Sequence, residues 1–110
     1  MSIQLPAPQT TNITTIATTD ILDARSGAND TAHVKRGMLT IRDKGAADNT
    51  VTLIKSDGSA NEIDEFTLAA EELYVNDWDM VFRGTTDKLQ LISSSTSELD
   101  TVISFVEETP

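Results

Sequence analysis

Apolar and polar residues alternate over short stretches through most of the chain. Leu39 and Ile41 lie on one side of the run Val34–Asp43, with Met38, Thr40 and Arg42 on the other. Val51 and Leu53 share a side within Thr50–Lys55. Leu89 and Leu91 alternate with Lys88 and Gln90, and Met80 and Phe82 with Val81 and Arg83. A period of two marks strands with one buried face. Ser26-Gly27, Lys44-Gly45, Asp57-Gly58 and Arg83-Gly84 punctuate these runs as turn signals. The remaining connections are read at 25–31, 44–49, 56–61, 84–87 and in the polar run 93–98.

Some positions break the alternation. Val34 precedes Leu39 by five residues, so simple alternation puts it on the opposite face; a bulge at Gly37 would restore the phase. Ile13 and Ile16 are three apart, so a strand over Thr10–Thr19 also needs a bulge to bury both. Thr19–Ala24 either continues that strand or starts another. Asp64–Val75 fits two periods. Phe66, Ala69, Ala70 and Leu73 suit a helical face, whereas Phe66 and Leu68, then Leu73 and Val75, suit two strands joined by a tight connection at Ala69–Glu72. The second reading agrees with the rest of the chain and is adopted. The nearly continuous apolar run in Thr101–Glu107 predicts a strand covered on both faces. The opening residues 1–12, with Pro6 and Pro8 unable to donate to a ladder, read as a flexible extended arm. The expected architecture is all-β: one antiparallel β-sandwich of about eight strands over residues 13–108, jelly-roll-like, with an extended N-terminal arm.

Composition agrees. Thr, Ile and Val make up 31 of the 110 residues, the branched side chains that suit a pleated surface. The length suits a single domain able to fold without staples. The absence of cysteine excludes disulfides and thiolate metal sites. No 18-residue apolar run predicts a membrane span, and the N-terminus lacks the basic start and apolar stretch of a secretory signal. A net charge of −10 argues against a nucleic-acid backbone binder.

Catalytic raw material is thin. His33 is the sole histidine, with no cysteine partner and no G-x-S-x-G elbow around any serine. It is read as a strand-edge residue. Asp77 and Asp79 flank Trp78, a spacing open to a carboxylate pair for glycoside hydrolysis or to a sugar-stacking platform. The reading adopted is the simpler one, a turn with solvated acids beside a core tryptophan. The aromatics as a group are expected mostly in the core. The acids from Asp57 onward fail the EF-hand spacing, with Glu62 at the glycine position and Leu68 at the twelfth. No phosphate-cradling glycine loop occurs. No cofactor and no metal is expected.

Charge is split along the chain. Residues 1–55 hold six Lys and Arg against five acids, and residues 56–110 two against thirteen. Either this is an ordinary acidic surface, since a sandwich interleaves distant segments, or the first half meets a partner through Lys35, Arg36, Arg42 and Lys44. Ile3 and Leu5 in the arm are candidate anchors on a neighbouring subunit.

The order of segments in residues 67–108 resembles the C-terminal half of small β-sandwich virion proteins of tailed bacteriophages. The residues that carry this are Leu89-Gln90-Leu91, the Ser/Thr loop after it, and Ile103-Ser104-Phe105-Val106-Glu107. The strand near Val34–Arg42 and Thr50–Leu53 match more loosely. Those proteins often place Gly-Asp before the L-x-L strand; here only Asp87 of Thr86-Asp87-Lys88 corresponds. The resemblance implies a jelly-roll or related sandwich, commonly trimeric, located in the virion. The expectation is a non-enzymatic structural protein of the capsid decoration or cementing type, with itself and the major capsid protein or another virion protein as partners. It would be made in the host cytoplasm and bind neither nucleic acid nor membrane. A carbohydrate-binding module centred on Asp77, Trp78 and Asp79 is the alternative, together with a host-receptor or fibre-associated phage protein. A hydrolase using acidic pairs is a third reading.

Overall fold

A computed structural model describes residues 2–4, 7–23, 33–56, 60–82 and 87–109. The loop expected at 25–31, residues 57–59 of that expected at 56–61, and most of that at 84–87 lie outside the described residues, as does Leu5; Ser56, Ala60 and Asn61 belong to strands instead. Nine strands are described: β1 (Ser2–Gln4), β2 (Gln9–Ile13), β3 (Thr19–Asp23), β4 (His33–Asp43), β5 (Asn49–Ser56), β6 (Ala60–Leu68), β7 (Leu73–Phe82), β8 (Lys88–Ser93) and β9 (Leu99–Thr109). They form two sheets. One runs β1–β9–β4–β7, with β2 also on β9; the other runs β3–β8–β5–β6.

The pairing has a simple logic. β5 pairs with β6, β4 with β7, β3 with β8 and β2 with β9, all antiparallel. The chain is thus one long nested hairpin folded over at β5–β6. Rolling that hairpin adds the pairs β4–β9 and β5–β8 and divides it into two sheets. This is the jelly-roll topology, and the expected all-β sandwich is the observed one.

Hydrophobic alternation places the core. Leu39 and Ile41 of β4, Ile13 of β2, and Leu99, Ile103 and Phe105 of β9 point inward from the first sheet. Ile21, Leu22, Val51, Leu53, Leu68, Leu89 and Leu91 meet them from the second. Ile21 and Leu22 are adjacent yet both buried, because the β3–β8 register shifts between Asp20 and Leu22. Among the described side chains the core is aliphatic apart from Phe105; of the aromatics expected mostly in the core, Phe66 and Tyr74 pack against its margin, and the side chains of Trp78 and Phe82 lie outside the described residues.

Several local expectations change. Strand–turn–strand over 64–75 is present: Glu72 N–H donates to Ala69 C=O at 3.0 Å, and Glu71 takes a positive φ of 67° to close the turn. The bulge expected at Gly37 is absent. β4 keeps one register with β9 from Val34 to Asp43 and with β7 from His33 to Arg42. Gly37 serves another need, since a Cβ there would overlap the carbonyl oxygen of Ser104 on β9. The strand starting near Thr10 ends at Ile13, which leaves Ile16 exposed in the connection and removes the need for a bulge. β9 is covered on one face only: Thr101, Ile103, Phe105 and Glu107 are buried, while Val102 and Ser104 are exposed. Asp77-Trp78-Asp79 lies within β7 and not in a turn. Near the N-terminus, β1 and β2 line the same edge of β9. Gln4 pairs with Glu107 and Gln9 with Ile103, so the arm carries one more residue than β9 across the interruption that holds Pro6 and Pro8. The sandwich pairing therefore begins before residue 13.

Candidate interaction surface

β4 is flanked by β9 and β7, and its alternate residues Arg36, Met38, Thr40 and Arg42 face away from the core. Residues directly opposite in an antiparallel ladder point to the same side. The register therefore builds cross-strand rows on the outer face: Asp100–Arg42–Leu73, Val102–Thr40–Val75 and Ser104–Met38–Asp77. Among the described residues, four large apolar side chains remain open here, with Leu73 49% exposed, Val75 51%, Met38 46% and Val102 38%. Large apolar groups gathered on one face of a sheet mark an interaction surface more than single scattered ones do.

Ion pairs border the face. Arg36 Nη2 lies 3.2 Å from Glu108 Oε1. Lys44 Nζ lies 3.1 Å from Asp100 Oδ2 and 3.9 Å from Glu98 Oε1. Asn12 Nδ2 donates to Asp100 Oδ1 at 2.7 Å and to Glu98 Oε1 at 2.8 Å. Asn12, and after it Lys44, hold the Asp100 carboxyl below its ordinary value. The hydrogen bond from Lys44 to Asp100 raises the ammonium's own pKa. The depressed Asp100 pKa contributes stability above the normal carboxylate range and loses it as pH falls through the folded value. Exposure keeps that contribution small. Because β4 lies beside β9, the cations of the near-neutral first half are interleaved with acids of the second.

At the end of the sandwich that carries the connections 44–48, 69–72 and 94–98, buried polar groups tie the loops together. Asn49 Oδ1 accepts from Ser93 Oγ at 2.7 Å and from Ser94 N–H at 3.0 Å, and Asn49 Nδ2 donates to Ser97 C=O at 3.2 Å. Asp43 Oδ1 accepts from Gly45 N–H and Ser97 Oγ, both at 3.0 Å. Asp43 and Asn49 are buried, so these bonds replace lost water. Sequence reading missed both residues; the one available signal was the Ser/Thr loop closing on a polar turn.

At the β6–β7 side, Phe66 and Tyr74 stack with centroids 3.8 Å apart. Tyr74 Oη donates to Asp64 Oδ2 at 2.9 Å and accepts from Asn76 Nδ2 at 2.9 Å. Burial first, then the bond to Asp64, raises the phenol above its ordinary 10.0. The neutral form is favoured by folding, so its contribution holds below that pH and is lost as pH rises through the folded value. Tyr74 is the sole tyrosine. The phenolate absorbance of the folded protein should therefore appear in one step above pH 10, and Asp64→Asn should move that step down without returning it to 10. A midpoint at or below 10 in the unaltered protein would contradict this environment.

The structure distributes the expected site residues as follows. Arg36 and Arg42 share the outer face of β4, and Lys44 sits at its end. Ile3 pairs by backbone with Glu108, and Lys35 with Glu107 and Met80; their side chains lie outside the described residues. Asp77 is exposed on the outer face beside Met38. Trp78 and Asp79 stand opposite Gly37 and Arg36 in register, again without described side chains. Among the described residues no three His, Cys, Asp or Glu side chains form a metal-ligand group. No described helix is long and apolar enough to cross a membrane.

No family model and no curated protein matches the chain. Solved structures do resemble it. The crystal structure of PirA aligns with a TM-score of 0.58 at 13% identity, covering 93% of this chain and 95% of that one. The structure of infectious bursal disease virus, Gx strain, aligns at 0.49 and 14% identity over 94% of this chain and 37% of that one. Empty particles of the cowpea mosaic virus top component align at 0.45 and 12% identity over 98% and 82%. At such identities the likeness is one of architecture. Together with the nested strand order, the PirA alignment supports a jelly-roll β-sandwich as the fold of this chain.

Proposed function

We propose that this protein is a non-enzymatic structural component of a virion, of the capsid decoration or cementing type. It self-associates, as a homotrimer by the resemblance in residues 67–108, and attaches to the major capsid protein or another virion protein. The observation that carries the reading is the outer face of the first sheet, where Met38, Leu73, Val75 and Val102 stay exposed inside a charged border. A face of this kind suits binding to another protein surface, with an apolar centre excluding water and a polar rim. Binding only the assembled state would stabilise a shell by mass action.

The test is co-sedimentation of the purified protein with assembled, DNA-free heads of a tailed phage and, separately, with the unassembled capsid subunit. Retention on heads alone is the expected result. Failure to pellet with any head, with a shift of Trp78 emission on adding oligosaccharides, would replace this reading with the carbohydrate-binding module.

A further inference from the structure

Among the described residues, the outer face of the first sheet leaves one cation and one anion unused. Arg36 is paired with Glu108, and Lys44 with Asp100 and Glu98. Arg42 and Asp77 are both exposed, and neither takes part in a hydrogen bond or ion pair among the described residues. They cannot reach each other within one copy. Arg42 stands in the row of Leu73 and Asp77 in the row of Met38, four residues away along the strands, or roughly 13 Å.

We propose that two copies of the chain pack face to face through this surface, about a two-fold axis along the row Val102–Thr40–Val75. Such an axis crosses the strands and exchanges the rows on either side of it. Val75 then faces Val75 of the second copy, and Val102 faces Val102. Leu73 faces the other copy's Asp77 and Arg42 faces its Met38, which sets Leu73 one strand spacing from the other copy's Met38. The same operation sets Arg42 beside the other copy's Asp77, and Asp77 beside its Arg42. Two sheets packed in this way lie about 10 Å apart, a gap that arginine spans. The arrangement is isologous, each patch meeting itself, as a two-fold contact requires. It rests on and deepens the self-association part of the proposed function: the second copy fills the outer face, and a particle surface that bound there would compete with it. Where a trimer forms through another surface, this contact joins trimers in pairs.

Light scattering coupled to size exclusion, at about 10 to 100 μM, tests it. The expected mass is an even multiple of the chain, two copies or six. Arg42→Asp and Asp77→Arg should each weaken association by at least about tenfold, and the double exchange should restore it. Val75→Asp sets two carboxylates against each other across the axis and should also dissociate the pair. The three altered positions are exposed strand sites, so circular dichroism should stay unchanged in every variant. A mass of one or three copies overturns the two-fold contact. An even mass indifferent to both charge reversals, or a double exchange that fails to restore it, overturns this face as its location. Loss of head binding with an even mass intact would sink the virion reading and leave the pairing standing.

Discussion

Gly37→Ala should lower stability by about 3 kcal/mol, equivalent to roughly 12 °C or more in melting temperature for a domain of this size. The new Cβ would overlap Ser104 C=O and come within 2.7 Å of Phe105 Cα. Both are backbone atoms of β9, so no rotamer change relieves the contact. The strands must separate or the register must slip. Slippage by one residue would turn Leu39 and Ile41 outward and carry Met38 and Thr40 into the core. Ordinarily alanine suits a strand better than glycine, by up to about 1 kcal/mol. A Gly37→Ala variant with an unaltered urea midpoint would show that β4 and β9 do not approach this closely.

Asn49→Ala should cost about 3 kcal/mol, since buried partners left unsatisfied are penalised at about 1–3 kcal/mol each. The amide serves three neighbours at once: it accepts from Ser93 Oγ and Ser94 N–H and donates to Ser97 C=O. Alanine would leave those groups facing a void inside the sandwich end. Thr96→Ala lies in the same loop but at an exposed position and should stay within about 0.5 kcal/mol of the parent. Equal urea midpoints for the two variants would mean that Asn49 does not organise the loop end.

Much of the fold was legible because alternation records burial directly. Leu39 with Ile41, Val51 with Leu53 and Leu89 with Leu91 all point inward as their spacing requires. The 64–75 segment was resolved by its neighbours: Ala and Glu favour a helix, but Leu68 had to reach a core already built from strands. What failed were positions where pairing partners, and not local sequence, decide. Gly37 reads as a bulge until β9 is placed against it. The apolar run after Thr101 reads as doubly covered because nothing local shows that Val102 lacks a cover. The candidate surface was partly visible in Arg36, Arg42 and Lys44. Its apolar centre was not, because Leu73 and Val75 read by spacing as a buried strand face, whereas Tyr74 stands opposite Ile41 and holds the inward phase. Pairing of Arg36 and Lys44 with acids about 55 to 70 residues away is likewise a product of topology.

The nested hairpin also governs how the molecule is born. β9 follows the other eight described strands in the chain, yet it lies in the middle of its sheet, between β2 and β4. While the ribosome is still synthesising the region before Leu99, those two strands have no shared neighbour and their backbone amides stay open to other chains. Non-local pairing of this kind folds slowly. The first sheet can therefore close only after translation has passed Thr109, and in a cell producing many copies at once, that delay is when nascent chains are most exposed to one another.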